Sequence, residues 1–221
     1  MMRSGHVLAS AAVLAVLASC SARQSITPTG ETPAASRAST DELALRSPAS
    51  FSSIADHSTR SAALFTEAAR VIQSPRCLNC HPVDRMPTQG DDLHPHVPPM
   101  NAGIEGHGPP GMTCNTCHQS ANVLTYNEPL ASIPGHAMWG LAPASMAWQG
   151  KTTREICLQI KDPSRNGGRA LAAIEEHMAK DSLVGWAWHP GPNRTPAPGT
   201  QAQFGLLIAA WIETGAACPR E

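Results

Sequence analysis

Arg76-Cys77-Leu78-Asn79-Cys80-His81-Pro82 and Thr113-Cys114-Asn115-Thr116-Cys117-His118-Gln119 are the two stretches on which the reading of this chain turns. Each contains the pattern C-x-x-C-H, two thiols followed at once by a histidine. In a haem attachment site the two thiols add across the two vinyl groups of the porphyrin, and the adjacent histidine coordinates the iron from the proximal side. Two copies imply two haems c, attached through Cys77, Cys80, Cys114 and Cys117, with His81 and His118 as iron ligands. The same four thiols could instead clamp one tetrahedral zinc. The wide gap between the pairs, the histidine after each and an export signal at the start of the chain favour haem.

That signal occupies residues 1–19. Arg3 supplies its positive start, Val7 to Ala18 form an apolar run too short to span a bilayer, and Leu17-Ala18-Ser19-Cys20 resembles the lipobox of bacterial lipoproteins. Cys20 would then carry lipid at the head of the mature chain; the alternative is an ordinary secretory signal cleaved near the same place. Either way the mature chain lies outside the cytoplasm, in the periplasm. Residues 20–50 are rich in Ser, Thr, Ala and Pro and read as a flexible tether between lipid and domain. Of the seven cysteines, Cys20 takes lipid and four take haem. Cys157 and Cys218 are left as a disulfide pair in an oxidising compartment, or as two separate buried thiols.

A formal net charge of -1 offers no basic field for nucleic acid, and aromatic residues make up 4% of the chain. So small a stock of large side chains gives a modest core, which covalent staples or a bulky prosthetic group would reinforce. Apolar spacing predicts helices at 59–72, 152–162, 169–180 and 201–214. The last three would form a compact bundle. Residues 82–113 show neither helical nor strand periodicity and are crowded with Pro, Gly and His, as in an ordered loop laid over a prosthetic group. The expected fold is mainly α with extensive irregular loops: a dihaem region at 51–150 and a helical region at 151–221 packed on it. Among the remaining histidines and methionines, His94 and His96 in that loop, and His136 presented from Pro134-Gly135, stand out as candidates for the sixth iron position. Trp139, Trp148, Trp186 and Trp188 lie in Gly- and Pro-rich connections, where they could shield a haem edge, dock a partner or pack beneath the loops.

The paired motifs resemble those of dihaem c-type cytochromes of the bacterial periplasm. Their close spacing, with a histidine-bearing loop before the second, is similar in layout to the small dihaem subunit of periplasmic nitrate reductase, whose irons carry two histidines each. Trp139-Gly140-Leu141-Ala142-Pro143, Gln159-Ile160-Lys161-Asp162-Pro163 and Asn166-Gly167-Gly168-Arg169 resemble a group of bacterial proteins labelled subunits of isoquinoline 1-oxidoreductase, a molybdenum hydroxylase. No molybdopterin or iron–sulfur motif is visible in the chain. The resemblance implies an electron carrier that accepts electrons from a dehydrogenase or molybdenum hydroxylase and passes them to a cytochrome or oxidase of the respiratory chain. The competing expectation is a haem enzyme of the dihaem peroxidase kind, or a haem-based sensor, with one open iron.

Overall fold

The computed structural model describes residues 43–126 and 130–220. Its elements follow from local sequence. Helix α1, His57–Ile72, starts where the Asp56 carboxylate accepts the Thr59 N–H at 2.8 Å. It ends at Ser74-Pro75, where the proline cannot continue the ladder and begins the single turn α2, Pro75–Leu78. Helix α3, Thr153–Lys161, opens on a capping box between Thr152 and Glu155. Then come α4, Leu171–Lys180, the single turn α5, Ser182–Gly185, capped by Asp181, and α6, Gln201–Glu213, capped by Thr200. The four expected helices are all present, with ends shifted by one or two residues.

Helix α6 is the centre of the body, packed against both α1 and α4. The α4 crossing is close because position 205 is glycine: a Cβ there would meet the Ala179 Cβ at 2.5 Å. Phe65 of α1 meets Trp211 of α6 with ring centroids 4.9 Å apart, and both side chains are fully buried. Leu64, Ile156, Ile160, Leu207 and Ile208 complete this core, each burial contributing roughly 1.5–3 kcal/mol. Helix α1 therefore belongs to the bundle, which is not made from the C-terminal helices alone as expected. The C-terminal tail returns along α3. Cys157 and Cys218 form a disulfide with Cα atoms 5.7 Å apart, flanked by Lys161 Nζ donating to the Ala216 carbonyl at 2.7 Å and an Arg154 bond to the Pro219 carbonyl at 3.0 Å.

The ordered body also reaches further toward the N-terminus than the expected tether allowed. The Leu43 carbonyl accepts from Gly199 N–H at 2.7 Å, Arg46 N–H donates to Glu67 at 3.0 Å, and Phe51 is 3% exposed. Residues 43–50 thus pack on the helices. The signal segment, Cys20 and the rest of the tether lie outside the described residues. Among the described residues no helix is long and apolar enough to cross a membrane.

Between Asn79 and Ser145 the character changes. Two hairpins of two-residue strands form there, β1 (Thr88–Gln89) with β2 (His94–Pro95), and β3 (Val123–Leu124) with β4 (Ser132–Ile133). Neither was legible as periodicity. Ala102 and Pro82 are the buried apolar side chains of this segment, whereas Val83, Val97, Ile104, Leu124, Tyr126 and Met138 are exposed. The segment is ordered by turns and hydrogen bonds, with almost no core of its own.

Candidate functional site

The two C-x-x-C-H stretches fold alike. In the first, Cys80 N–H and His81 N–H both donate to the Cys77 carbonyl at 3.1 Å; in the second, Cys117 and His118 N–H donate to the Cys114 carbonyl at 3.2 and 2.9 Å. A single helical turn of this kind sets two thiols and an imidazole side by side. The first turn is α2 and its continuation beyond the Ser74-Pro75 stop; the second is a 3-10 turn over Cys114–Thr116.

Both histidines then find the same kind of partner. His81 Nδ1 lies 2.6 Å from the Met146 carbonyl, and His118 Nδ1 lies 2.8 Å from the Pro134 carbonyl. A carbonyl only accepts, so each Nδ1 carries the proton and each Nε2 keeps its lone pair. This is the tautomer that a metal-ligating histidine needs, fixed by a backbone acceptor. Each ring is also held flat against an indole: His81 on Trp148 at 3.5 Å with an interplanar angle of 2°, His118 on Trp139 at 4.6 Å and 13°. Trp186 in turn meets Trp139 edge-on at 4.9 Å. Desolvation lowers the His81 pKa to about 4 and moves that of His118 the same way, so both imidazoles are neutral near pH 7.

Cys77, Cys80, Cys114 and Cys117 are free thiols. Desolvation pushes Cys77 up to about 12 and Cys80 up to about 11, and raises Cys114 as well. Thiol–disulfide catalysts need the opposite shift. Among the described residues no group of three or more His, Cys, Asp or Glu side chains is placed to hold a metal.

The surroundings fit a bulky group carrying acid substituents. Arg76 Nε, one terminal nitrogen of Arg85 and the Trp148 indole N–H are buried donors with no acceptor in the protein. An unsatisfied buried donor costs about 1–3 kcal/mol. Arg76 directly precedes Cys77 and is 3% exposed. Arg85 is fastened to the Gly103 and Ala142 carbonyls at 2.9 and 2.8 Å, and Trp148 lies on His81. Haem propionates are acceptors of the kind these donors lack.

The candidates for the sixth position separate by what their ring nitrogens already do. His94 Nδ1 lies 2.6 Å from Asp92 and its Nε2 lies 3.0 Å from the Gln89 amide. His136 accepts the Met138 N–H on Nδ1 at 3.1 Å, and its Nε2 is 2.9 Å from Ser182 Oγ. Both rings are engaged at both nitrogens. His96 has Nδ1 on the Pro98 carbonyl at 2.8 Å, and its ring centroid lies 5.9 Å from that of His118. His107 and His177 have Nδ1 on the Trp139 carbonyl at 3.2 Å and beside Asp181 at 3.3 Å. An open cleft of about 1060 Å³, bordered by Ala121, Gly135, His136, Trp186 and His189, includes none of the four thiols.

The Met146 and Pro134 carbonyls were not legible beforehand, since a backbone acceptor has no residue signature. Trp139 and Trp148 were recognisable only as tryptophans in turn-rich connections; their stacking on the two histidines depends on long-range folding. Asn166-Gly167-Gly168-Arg169 is a structural turn after α3, its buried Asn166 amide bonded to the Ile160 and Arg169 carbonyls at 2.7 and 2.9 Å. Comparison with protein-family models, curated proteins and solved structures finds no match, so the functional reading stands on the geometry of the site.

Proposed function

We propose that this chain is a periplasmic c-type cytochrome with two covalently attached haems, held to a membrane by lipid on Cys20 and carrying electrons between redox proteins. The observation that carries the reading is the duplicated histidine geometry: two C-x-x-C-H turns of the same form, each aiming Nδ1–H at a backbone carbonyl and keeping the Nε2 lone pair. Cys77 and Cys80 would hold one porphyrin and Cys114 and Cys117 the other, with His81 and His118 as proximal ligands. Bound haem supplies a one-electron iron couple. The protein's part is to fix each imidazole by a carbonyl and an indole face, and to offer Arg76, Arg85 and Trp148 as donors to acid substituents.

In this reading the chain is an electron-transfer subunit, fed by a dehydrogenase or molybdenum hydroxylase and drained by a cytochrome or oxidase of the respiratory chain. The test is protein matured in a host with a cytochrome c assembly system, studied by intact mass, optical spectroscopy and EPR. Two covalent haems, low-spin and inert to carbon monoxide, are expected. One high-spin iron would replace the carrier with an enzyme or sensor, and a mass without haem would remove the cofactor altogether.

A further inference from the structure

We infer that the open cleft between the stretches flanking the β3–β4 hairpin and helices α5 and α6 is a binding site for an uncharged aromatic ring that carries a hydroxyl group, a phenol or quinol. The site stands apart from the dihaem reading, since none of the four thiols borders it. Its volume of about 1060 Å³ is on the scale of sites that take small organic ligands.

The wall decides what the cleft can take. Among the described residues that border it, none is Asp, Glu, Lys or Arg. A charged ligand would give up water here without meeting an opposite charge, which is costly. The apolar part of the wall comes from two half-buried indoles, Trp186 and Trp188. Their N–H groups are already spent, on Asn122 Oδ1 at 2.8 Å and on the Pro198 carbonyl at 3.0 Å. What they have left to offer is ring carbon, which suits a flat apolar partner. Asn122 also accepts the Gly135 N–H at 3.0 Å and donates to the His189 carbonyl at 2.9 Å, so Trp186 is fixed from both sides of the cleft. Trp186 meets Trp139 edge-on, and Trp139 lies flat on His118, which puts an occupant two indoles away from that imidazole.

Two polar groups on the same wall have unused and complementary capacity. His136 accepts the Met138 N–H on Nδ1, so its Nε2 carries the proton and donates to Ser182 Oγ at 2.9 Å. The Ser182 hydroxyl proton is left to donate elsewhere. Gln201 spends its amide N–H groups on the Asp181 and Met178 carbonyls, at 2.8 and 3.4 Å, while its Oε1 accepts nothing from the described residues. The bond to Asp181 keeps this acceptor near Ser182, the next residue along the chain. One ligand hydroxyl answers both groups: it accepts from Ser182 and donates to Gln201 Oε1.

The test is equilibrium dialysis of the full chain, purified from a host with a cytochrome c assembly system, against naphthol and against naphthoate at neutral pH. Naphthoate presents the same rings with a negative charge. Saturable one-to-one binding of naphthol is expected, with naphthoate weaker by roughly tenfold or more. Ser182→Ala should weaken naphthol roughly tenfold by removing one hydrogen bond. Ala202 is an exposed residue of α6 on the cleft wall, and Ala202→Trp should abolish binding by filling the space. Leu158→Ala, on the exposed face of α3 and away from the cleft, should leave binding unchanged. Matching far-UV circular dichroism separates a lost site from a lost fold. No saturable binding of naphthol to wild-type protein, equal affinity for naphthoate, or unaltered binding in both Ser182→Ala and Ala202→Trp overturns the assignment. Because no thiol borders the cleft, each of these results leaves the dihaem reading where intact mass and EPR put it.

Discussion

The helical body and the segment from Asn79 to Ser145 are built on different terms. In the body, capped helices bury Leu64, Phe65, Ile156, Leu207 and Trp211 almost completely. One buried polar group ties the C-terminal tail to two helices: Ser61 Oγ donates to the Trp211 carbonyl at 2.9 Å and accepts the Ala217 N–H at 2.9 Å, while the Trp211 indole reaches the Ala217 carbonyl at 3.0 Å. The segment has two minimal hairpins and exposed apolar side chains. Hairpins this short are marginal in water by themselves. A region that buries its own apolar surface is self-sufficient; one with so little core would, on the proposed reading, draw stability from the haems its cysteines would hold.

The sharpest way to break this contrast is to remove the attachment chemistry. With Cys77, Cys80, Cys114 and Cys117 all replaced by alanine, amides of 79–145 are expected to lose nearly all protection from hydrogen exchange, while α1, α4 and α6 keep theirs. Loss of protection in both regions together would show a single cooperative unit. Trp211→Ala, striking the body instead, is expected to lower unfolding free energy by about 3–5 kcal/mol in urea titration and leave the haem spectra unaltered. Cys157→Ser should cost about 2–4 kcal/mol, a difference that vanishes when wild-type protein is measured under reducing conditions. Thr152→Ala removes half of the α3 capping box and should cost about 1 kcal/mol by the same titration. The smallest effect concerns acid. Hydrogen bonds from Thr59 and Thr152 hold the Asp56 and Glu155 carboxyls below their ordinary pKa values. Their contribution is complete above the unfolded-state pKa, about 4, and is lost as pH falls through the lower folded value. A shallow decline in stability below about pH 4 should appear in wild-type protein and flatten in Asp56→Asn.

What the sequence disclosed tracks the range of the interactions concerned. Helix α3 was legible because Ile156 and Ile160 recur at helical spacing and Pro163 follows; the Cys157–Cys218 pairing was legible because the sequence reading gave the other five cysteines different roles. The two C-x-x-C-H turns were conspicuous because the pattern is local in sequence. The Met146 carbonyl lies 65 residues from His81 and has no side-chain signature. Pro134-Gly135-His136 looked like a device for presenting His136, yet it is the Pro134 carbonyl that meets His118. Gly135 permits this: a Cβ there would run into the Ala121 and Gln119 carbonyls. The packing of residues 43–50 was hidden because their bonds go to Glu67, Arg70 and Gly199, which only the folded chain brings near.

The bond from Thr88 to Asn79 turns a spacer position of the first C-x-x-C-H stretch into a foothold for the β1–β2 hairpin. Thr88 also accepts from Gln149, and Asp91 in the same hairpin accepts from Thr195, so the hairpin is a junction between the first turn and parts of the chain that follow much later in sequence. Replacing Asn79 would therefore loosen more than a local turn: it would free one corner of that junction.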